Sequence, residues 1–193
     1  MNTFQKFFDE NYYPYLGIRN NTFKMMFEYL DSLNQDKYLI VESGTTREKD
    51  NWQDGNSTIM FDKYCQINSG TVYTIDNYPP NCETVRGLTS SNTIVCLNDS
   101  VKFLHEFHAP EKIDLLYLDS YDLDWHNPHE SSLHHLKELS AIYSSLKPGC
   151  LIVIDDCNDI YGRKGKGQYV EVFLSEVGDK VYFEEYQIGY IKR

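Results

Sequence analysis

Five short apolar runs, at residues 38–41, 71–75, 93–97, 113–118 and 150–154, recur along the chain with helix-period segments between them. That alternation limits the fold more than any other feature. The runs are rich in β-branched residues and nearly continuous in apolar character, which suits strands buried on both faces of a parallel sheet. Parallel neighbours need crossover helices, and right-handed crossovers place those helices on both faces. The intervening segments qualify. Phe23, Met26, Phe27, Leu30 and Leu33 share one helical face, as do Met60, Tyr64 and Ile67. Leu133, Leu136, Leu139, Ile142, Tyr143 and Leu146 form a longer stripe, stopped by Lys147, Pro148 and Gly149. The expectation is an α/β chain with a single doubly wound, mostly parallel sheet and helices on both faces. In the tail, residues 169–177 read as a helix and 181–192 as one or two strands, including an antiparallel edge strand. At 193 residues one domain suffices: a helical cap over 1–36, a core over 37–160, and a closing helix with edge strands over 161–193.

Ligands of open α/β sheets bind beyond the carboxyl ends of the strands, so the residues just after each run carry the functional signal. They are Glu42-Ser43-Gly44, Asp76, Asn98-Asp99-Ser100, Asp119 and Asp155-Asp156. Every run ends in an acid or in a polar triplet containing one. The first turn has neither G-x-G-x-x-G nor G-K-[ST], which disfavours a dinucleotide or a nucleoside triphosphate. An acid and one glycine there suit a ligand with an amino group and no pyrophosphate: Glu42 can pair with an ammonium directly or through water, and Gly44 lets the backbone come close. Ser57 reads as the N-cap of a helix whose free N–H groups suit a carboxylate. Asp76 is placed for a ribose diol. Asp99 and Ser100 face an adenine edge, cap the helix that follows, or do both.

Asp119, Asp155 and Asp156 form the strongest chemical suggestion. Adjacent like charges after a buried strand call for a cation, and a third acid on a neighbouring strand completes an oxygen-rich set suited to Mg²⁺, with Mn²⁺ or Ca²⁺ as alternatives. The competing arrangement has Asp156 turned to solvent and only Asp155 facing the site. Histidines cluster downstream at His126, His129, His134 and His135. His126, His129 or His134 could act as a general base or line the pocket, but adjacent helical residues diverge by about 100°, so His134 and His135 cannot both face one site.

The net charge of −11 disfavours nucleic acid and anionic membranes as partners. The densest basic stretch, Arg163, Lys164 and Lys166, is glycine-spaced and reads as a mobile loop or as a lid meeting an anionic group. Five cysteines without C-x-x-C spacing read as reduced packing residues of a cytoplasmic protein. No apolar run approaches the length of a membrane span.

The ordered set of strand-end residues, with Tyr117-Leu-Asp-Ser120 and the Lys147-Pro-Gly149 turn before Asp155-Asp156, resembles the class I S-adenosylmethionine-dependent methyltransferases, a Rossmann-like family. Within it the chain looks most similar to the metal-dependent O-methyltransferases of the catechol and macrocin types. The resemblance spans roughly residues 38–160. It implies Glu42, Gly44 and Ser57 around the methionine end of the cofactor, with Thr45 and Gly55 also on it. It further implies Asp76 at the ribose, Asn98, Asp99 and Ser100 near adenine, Asp119 shared with the cofactor, and Asp119, Asp155 and Asp156 on a divalent metal. Catalytic candidates are Asp119, His126 and His134. The implied activity is metal-assisted O-methylation of a small-molecule hydroxyl, a sugar or nucleotide-sugar before a phenol, with a homodimer compatible. A binding or scaffold module that keeps the pocket without turnover is the alternative. Two departures stand out: residues 45–55 replace the usual glycine-rich turn, and the small glycine near Asp99 is absent. With Arg47, Lys49 and Trp52, the 45–55 segment reads as a cover over the ligand or as a decorated crossover fixed by Trp52.

Overall fold

The computed structural model describes residues 3–54, 56–109, 111–158 and 164–193. Two helices come first, α1 (Thr3–Asn11) and α2 (Asn20–Leu33), joined by two short 3-10 turns. The alternation follows as β1 (Tyr38–Ser43), α3 (Ser57–Asn68), β2 (Gly70–Asp76), α4 (Pro79–Leu88), β3 (Thr93–Leu97), α5 (Ser100–Glu106), β4 (Leu115–Leu118), α6 (His129–Ile142) and β5 (Leu151–Ile154). The chain closes with α7 (Gln168–Glu176), β6 (Lys180–Glu184) and β7 (Ile188–Ile191).

All seven strands form one sheet in the order β3-β2-β1-β4-β5-β7-β6. β1 to β5 pair in parallel, and β7 is antiparallel to both β5 and β6. The expected doubly wound sheet is present. The tail holds two strands, and the reversed one is β7, which lies inside the sheet; the edge strand is β6. A three-residue connection, with the Glu185 N–H donating to the Gln187 carbonyl at 2.9 Å, makes that hairpin without glycine or proline, which is why no turn signal marks it.

The period-two alternation of the strands divides the core into two layers. Ile40, Leu115, Tyr117, Leu151 and Val153 point to one face, where α1, α2 and α3 bring Phe4, Phe8, Phe23, Phe27, Phe61 and Tyr64. Leu39, Val41, Leu116, Leu118, Ile152 and Ile154 point to the other, packed by Leu104, Leu139, Ile142, Val170 and Leu174 from α5, α6 and α7. The expected stripe of α2 is the buried one, with Phe23, Met26, Phe27 and Leu30 fully enclosed. β3 departs from the expectation of strands covered on both faces: Ile94 and Leu97 are 42% and 51% exposed, because β3 is an edge with a neighbour on one side only. The five cysteines are free thiols, four of them buried, and no described helix is long and apolar enough to cross a membrane.

Aromatic packing dominates the first layer. The Phe27 ring lies 4.6 Å from Phe4, 5.3 Å from Phe8 and 5.4 Å from Tyr64, joining three helices. Phe27→Ala should therefore lower the unfolding free energy by about 3–5 kcal/mol in urea titrations. Val172→Ala, at a 61% exposed position of α7, should change it by no more than about 0.5 kcal/mol.

Candidate functional site

The strand order reverses between β1 and β4, and the crevice at their carboxyl ends is a cavity of about 500 Å³. Gly44 makes it. Its φ is +84°, and a Cβ there would lie 2.5 Å from the carbonyl oxygen of Asp119, so only glycine lets the β1 and β4 ends come this close. The Gly44 N–H donates to the Ile75 carbonyl and the Asp119 N–H to the Ser43 carbonyl, which fixes three strand ends relative to one another.

Beneath this turn Glu42 is fully buried and accepts from three hydroxyls: Ser57, Thr58 at 2.6 Å and Thr74 at 2.8 Å. It does not line the cavity, so it organises the turn from below and is not placed to meet an ammonium. Ser57 lines the cavity but is the first residue of α3 and not its N-cap; Asn56, at φ +46°, holds that position. The Ser57 hydroxyl is turned instead to the Glu42 carboxylate, to which it donates. Thr46 lines the cavity, but its hydroxyl is buried without a partner among the described residues, and both polar atoms of the buried Asn56 side chain are likewise unpartnered.

Around the rim, Asp76 accepts from the Tyr78 N–H at 2.7 Å and from the Asn81 amide at 3.0 Å. Asp99 caps α5 by accepting from the Lys102 N–H at 2.8 Å and also lines the cavity, so both of its expected roles are compatible. Asn98 turns away and accepts from the Asp99 N–H. The Ser100 hydroxyl sits 3.1 Å from His134 Nε2, which lies 3.4 Å from Glu138; the Ser120 hydroxyl donates to the same carboxylate at 2.7 Å. His134 faces the cavity while His135 is buried behind it, where desolvation takes its imidazole down to about 4. His126 is exposed and lies outside the cavity lining. Thr45 also lines the cavity, whereas Gly55 lies outside the described residues.

The three aspartates expected on a metal carry side-chain cations instead. Asp155 is fully buried under the cavity floor, gripped by Arg19 Nε at 2.9 and 3.0 Å and by the Tyr117 hydroxyl at 3.1 Å. Asp156 takes a left-handed backbone (φ +51°) that turns its carboxylate into the cavity. There it meets Arg19 Nη2 at 2.7 Å, the Tyr186 hydroxyl at 2.6 Å and Lys166 Nζ at 3.1 Å. Lys166 also donates to Asp119 at 2.6 Å. The arrangement thus inverts the one in which Asp156 faces solvent. Among the described residues no three His, Cys, Asp or Glu side chains are grouped to hold a metal ion. Asp155 is spent on Arg19, and an ammonium stands between the other two, so the set does not fit a divalent ion as it stands. Burial pushes the Asp119 carboxyl upward, against the opposing pull of Lys166. Asp156 is held below the usual carboxylate range: Lys166 and Arg19 outweigh the opposing effect of burial.

Lys166 reaches this position through the glycine-spaced stretch that reads as a mobile loop. Gly165 to Gly167 form a 3-10 turn packed on the end of β5, and a Cβ on Gly165 would lie 1.9 Å from the Asp156 carbonyl oxygen. Glycine spacing marks close approach here. Lys166 is 3% exposed, and the anion it meets belongs to the chain itself. The 45–54 segment is pinned: Trp52 stacks on Tyr15 at 5.7 Å and lies 5.5 Å from Tyr12, while Arg47 bridges to Asp122 at 2.9 Å and Asp54 at 3.3 Å.

Solved structures share this architecture. CalS11, a TDP-rhamnose 3'-O-methyltransferase of calicheamicin biosynthesis, superposes with a TM-score of 0.63 at 11% identity, over 95% of this chain and 85% of that one. What the chain shares with them is the fold, a Rossmann-like α/β sheet. MycE, a methyltransferase of the mycinamycin pathway solved with Mg, SAH and mycinamycin VI, matches at 0.62 and 15% identity over 91% of this chain and 48% of its own. A Streptococcus mutans protein solved with SAH matches at 0.58 and 15% identity, over 89% and 97%. No family model matches the sequence, and no curated protein matches it either.

Glu42 sets a pH dependence. Burial pushes its carboxyl up to about 7, against three hydroxyl donors that pull it down. An acid raised on folding stabilises the fold below its unfolded value near 4.3, and that contribution is lost as the pH rises through 7. Wild type should therefore lose up to about 3 kcal/mol between pH 5 and pH 8 relative to Glu42→Gln, read as the difference between their urea unfolding free energies at each pH. Parallel pH profiles for the two proteins would contradict the assignment.

Proposed function

We propose that the chain transfers a methyl group from S-adenosylmethionine to a hydroxyl of a small molecule. One observation carries the reading: the strand-order reversal holds a cavity in which Asp76, Asp99 with Ser100, and Gly44 with Ser57 line the walls, while Asp119 and Asp156 line it beside Lys166. The residues fit the cofactor. Asp76, already oriented by Tyr78 and Asn81, keeps lone pairs for a ribose diol. Ser100, tied to His134, offers a polar edge for adenine. The first turn of α3 at Ser57, with Thr45 and Thr46 beside it in the lining, suits the amino acid end. When bound, the cofactor supplies an electrophilic methyl on a sulfonium.

The chain's own contribution is position and proton handling. Asp119 follows β4 at the cavity, and its carboxylate, held by Lys166 at 2.6 Å, is the group placed to take the acceptor's proton as the oxygen–methyl bond forms. His134 serves the adenine side through Ser100, and the exposed His126 has no part. Holding acceptor and donor in line supplies the rest of the rate. A sugar or nucleotide-sugar hydroxyl is the favoured acceptor, supported by the sugar O-methyltransferase among the structural neighbours. No step is assigned to a metal, because Arg19 and Lys166 occupy its expected ligands.

Calorimetry with SAH tests the reading, with binding expected for wild type. Asp76→Ala should weaken it about 10- to 100-fold, the loss expected for hydrogen bonds to a charged group. Folded wild type that ignores millimolar SAH would sink the proposal. Binding without transfer of labelled methyl into any acceptor pool would instead support a pocket that binds without turnover.

A further inference from the structure

We propose that the Gly165-Lys166-Gly167 turn, together with Arg19, supplies a built-in cation where related chemistry would use a divalent metal, and that Lys166 is the residue that keeps this site metal-free. Three observations converge. The Lys166 ammonium lies between Asp119 at 2.6 Å and Asp156 at 3.1 Å, with the Ser120 carbonyl at 3.4 Å, so its three N–H groups have three oxygen acceptors in one hemisphere. Arg19 removes the third carboxylate, since its Nε holds both oxygens of Asp155 while Nη2 holds Asp156. The backbone is shaped for the insertion: Gly165 approaches the Asp156 carbonyl as only glycine can, and the Lys166 N–H donates to that carbonyl at 3.0 Å.

A lysine that merely happened to lie near acids on a surface loop would be solvated and mobile; this one is 3% exposed and lines the cavity floor. Two side-chain charges against three carboxylates leave the cluster close to neutral when Asp119 carries a proton, and one negative charge over when it does not. A sulfonium brought into the cavity adds one positive charge, and loss of the acceptor proton to Asp119 followed by methyl transfer removes it. The O–H bond breaks toward Asp119, the O–CH₃ bond forms, the C–S bond breaks, and a neutral thioether leaves. Lys166 has no N–H left for the acceptor. It acts through Asp119 and Asp156 as a positioning residue, holding both carboxylates at the separation that the acceptor meets. The part of this account that concerns turnover rests on the methyltransferase reading; the exclusion of metal does not.

Manganese binding followed by electron paramagnetic resonance tests the exclusion without cofactor or acceptor. Wild type and Lys166→Arg should leave the free Mn²⁺ signal unchanged up to about 1 mM, whereas Lys166→Ala, which opens the space between Asp119 and Asp156, should bind at least tenfold more tightly than wild type. Lys166→Gln, which keeps much of the side-chain volume and removes the charge, replaces the alanine variant if that one does not fold. Tight Mn²⁺ binding by wild type at these carboxylates would overturn the proposal, as would a folded Lys166→Ala or Lys166→Gln that binds no better than wild type. Where an acceptor is in hand, turnover by wild type should survive chelator unchanged. Lys166→Ala should lower kcat with little effect on the Kd of SAH, and Lys166→Arg should restore most of it. Loss of wild-type turnover on chelation contradicts the proposal. Failure to bind SAH contradicts only the methyltransferase reading.

Discussion

Three carboxylates at the ends of two adjacent parallel strands cannot sit together without positive charge, and the rest of the site is organised around how this chain provides it. Arg19 comes from the turn before α2, and Lys166 from the turn before α7. Each is drawn to the carboxyl end of β5, so the N-terminal helices and the C-terminal segment are tied to one point of the sheet. Buried ion pairs add little net stability, because desolvation offsets their attraction, but removing one partner costs about 3–5 kcal/mol by leaving the other unpaired. The cluster therefore acts more as a constraint on arrangement than as a source of stability. Tyr117 and Tyr186 complete it with hydroxyl donors, and the Arg19 guanidinium lies 4.6 Å over the Tyr186 ring.

The same logic operates at the end of β1. Glu42 is buried and answered by hydroxyls alone, from Ser57, Thr58 and Thr74. Two acids at the carboxyl ends of β1 and β5, with β4 between them, thus have opposite solutions. Asp155 is met by a full charge, while Glu42 is met by neutral dipoles that leave its proton affinity high. The difference follows from position: β1 is central and its end is covered by α3, whereas β5 borders the turns that carry Arg19 and Lys166.

The strands were legible in the sequence because apolar runs of that length leave little alternative, and the positions of Gly44, Asp76, Asp99, Ser100 and Asp119 at the cavity followed from the strand-end rule. Local pattern failed where a distant segment decides. Arg19 meets Asp155 across 136 residues, and nothing in its own neighbourhood marks it as a counter-ion. Lys166 was visible as part of a glycine-spaced basic stretch, but the spacing was ambiguous between mobility and close packing; the left-handed Gly165 resolves it. An acid after a buried strand reads as a ligand contact, and Glu42 shows that it can equally be the anchor beneath one. The tail read as one or two strands with an antiparallel edge, and the count and the place of the reversed strand stayed open because the three-residue connection before β7 has no turn residues.

The central claim is that this crevice binds S-adenosylmethionine beside a carboxylate cluster already satisfied by the chain's own cations. A crystal structure grown with SAH and excess manganese, with data collected at the manganese absorption edge, tests both halves at once. The account predicts SAH in the crevice between β1 and β4, with its ribose at Asp76, Lys166 still between Asp119 and Asp156, and no anomalous peak among the three aspartates. An anomalous peak there with Lys166 displaced, or SAH bound elsewhere, would contradict it.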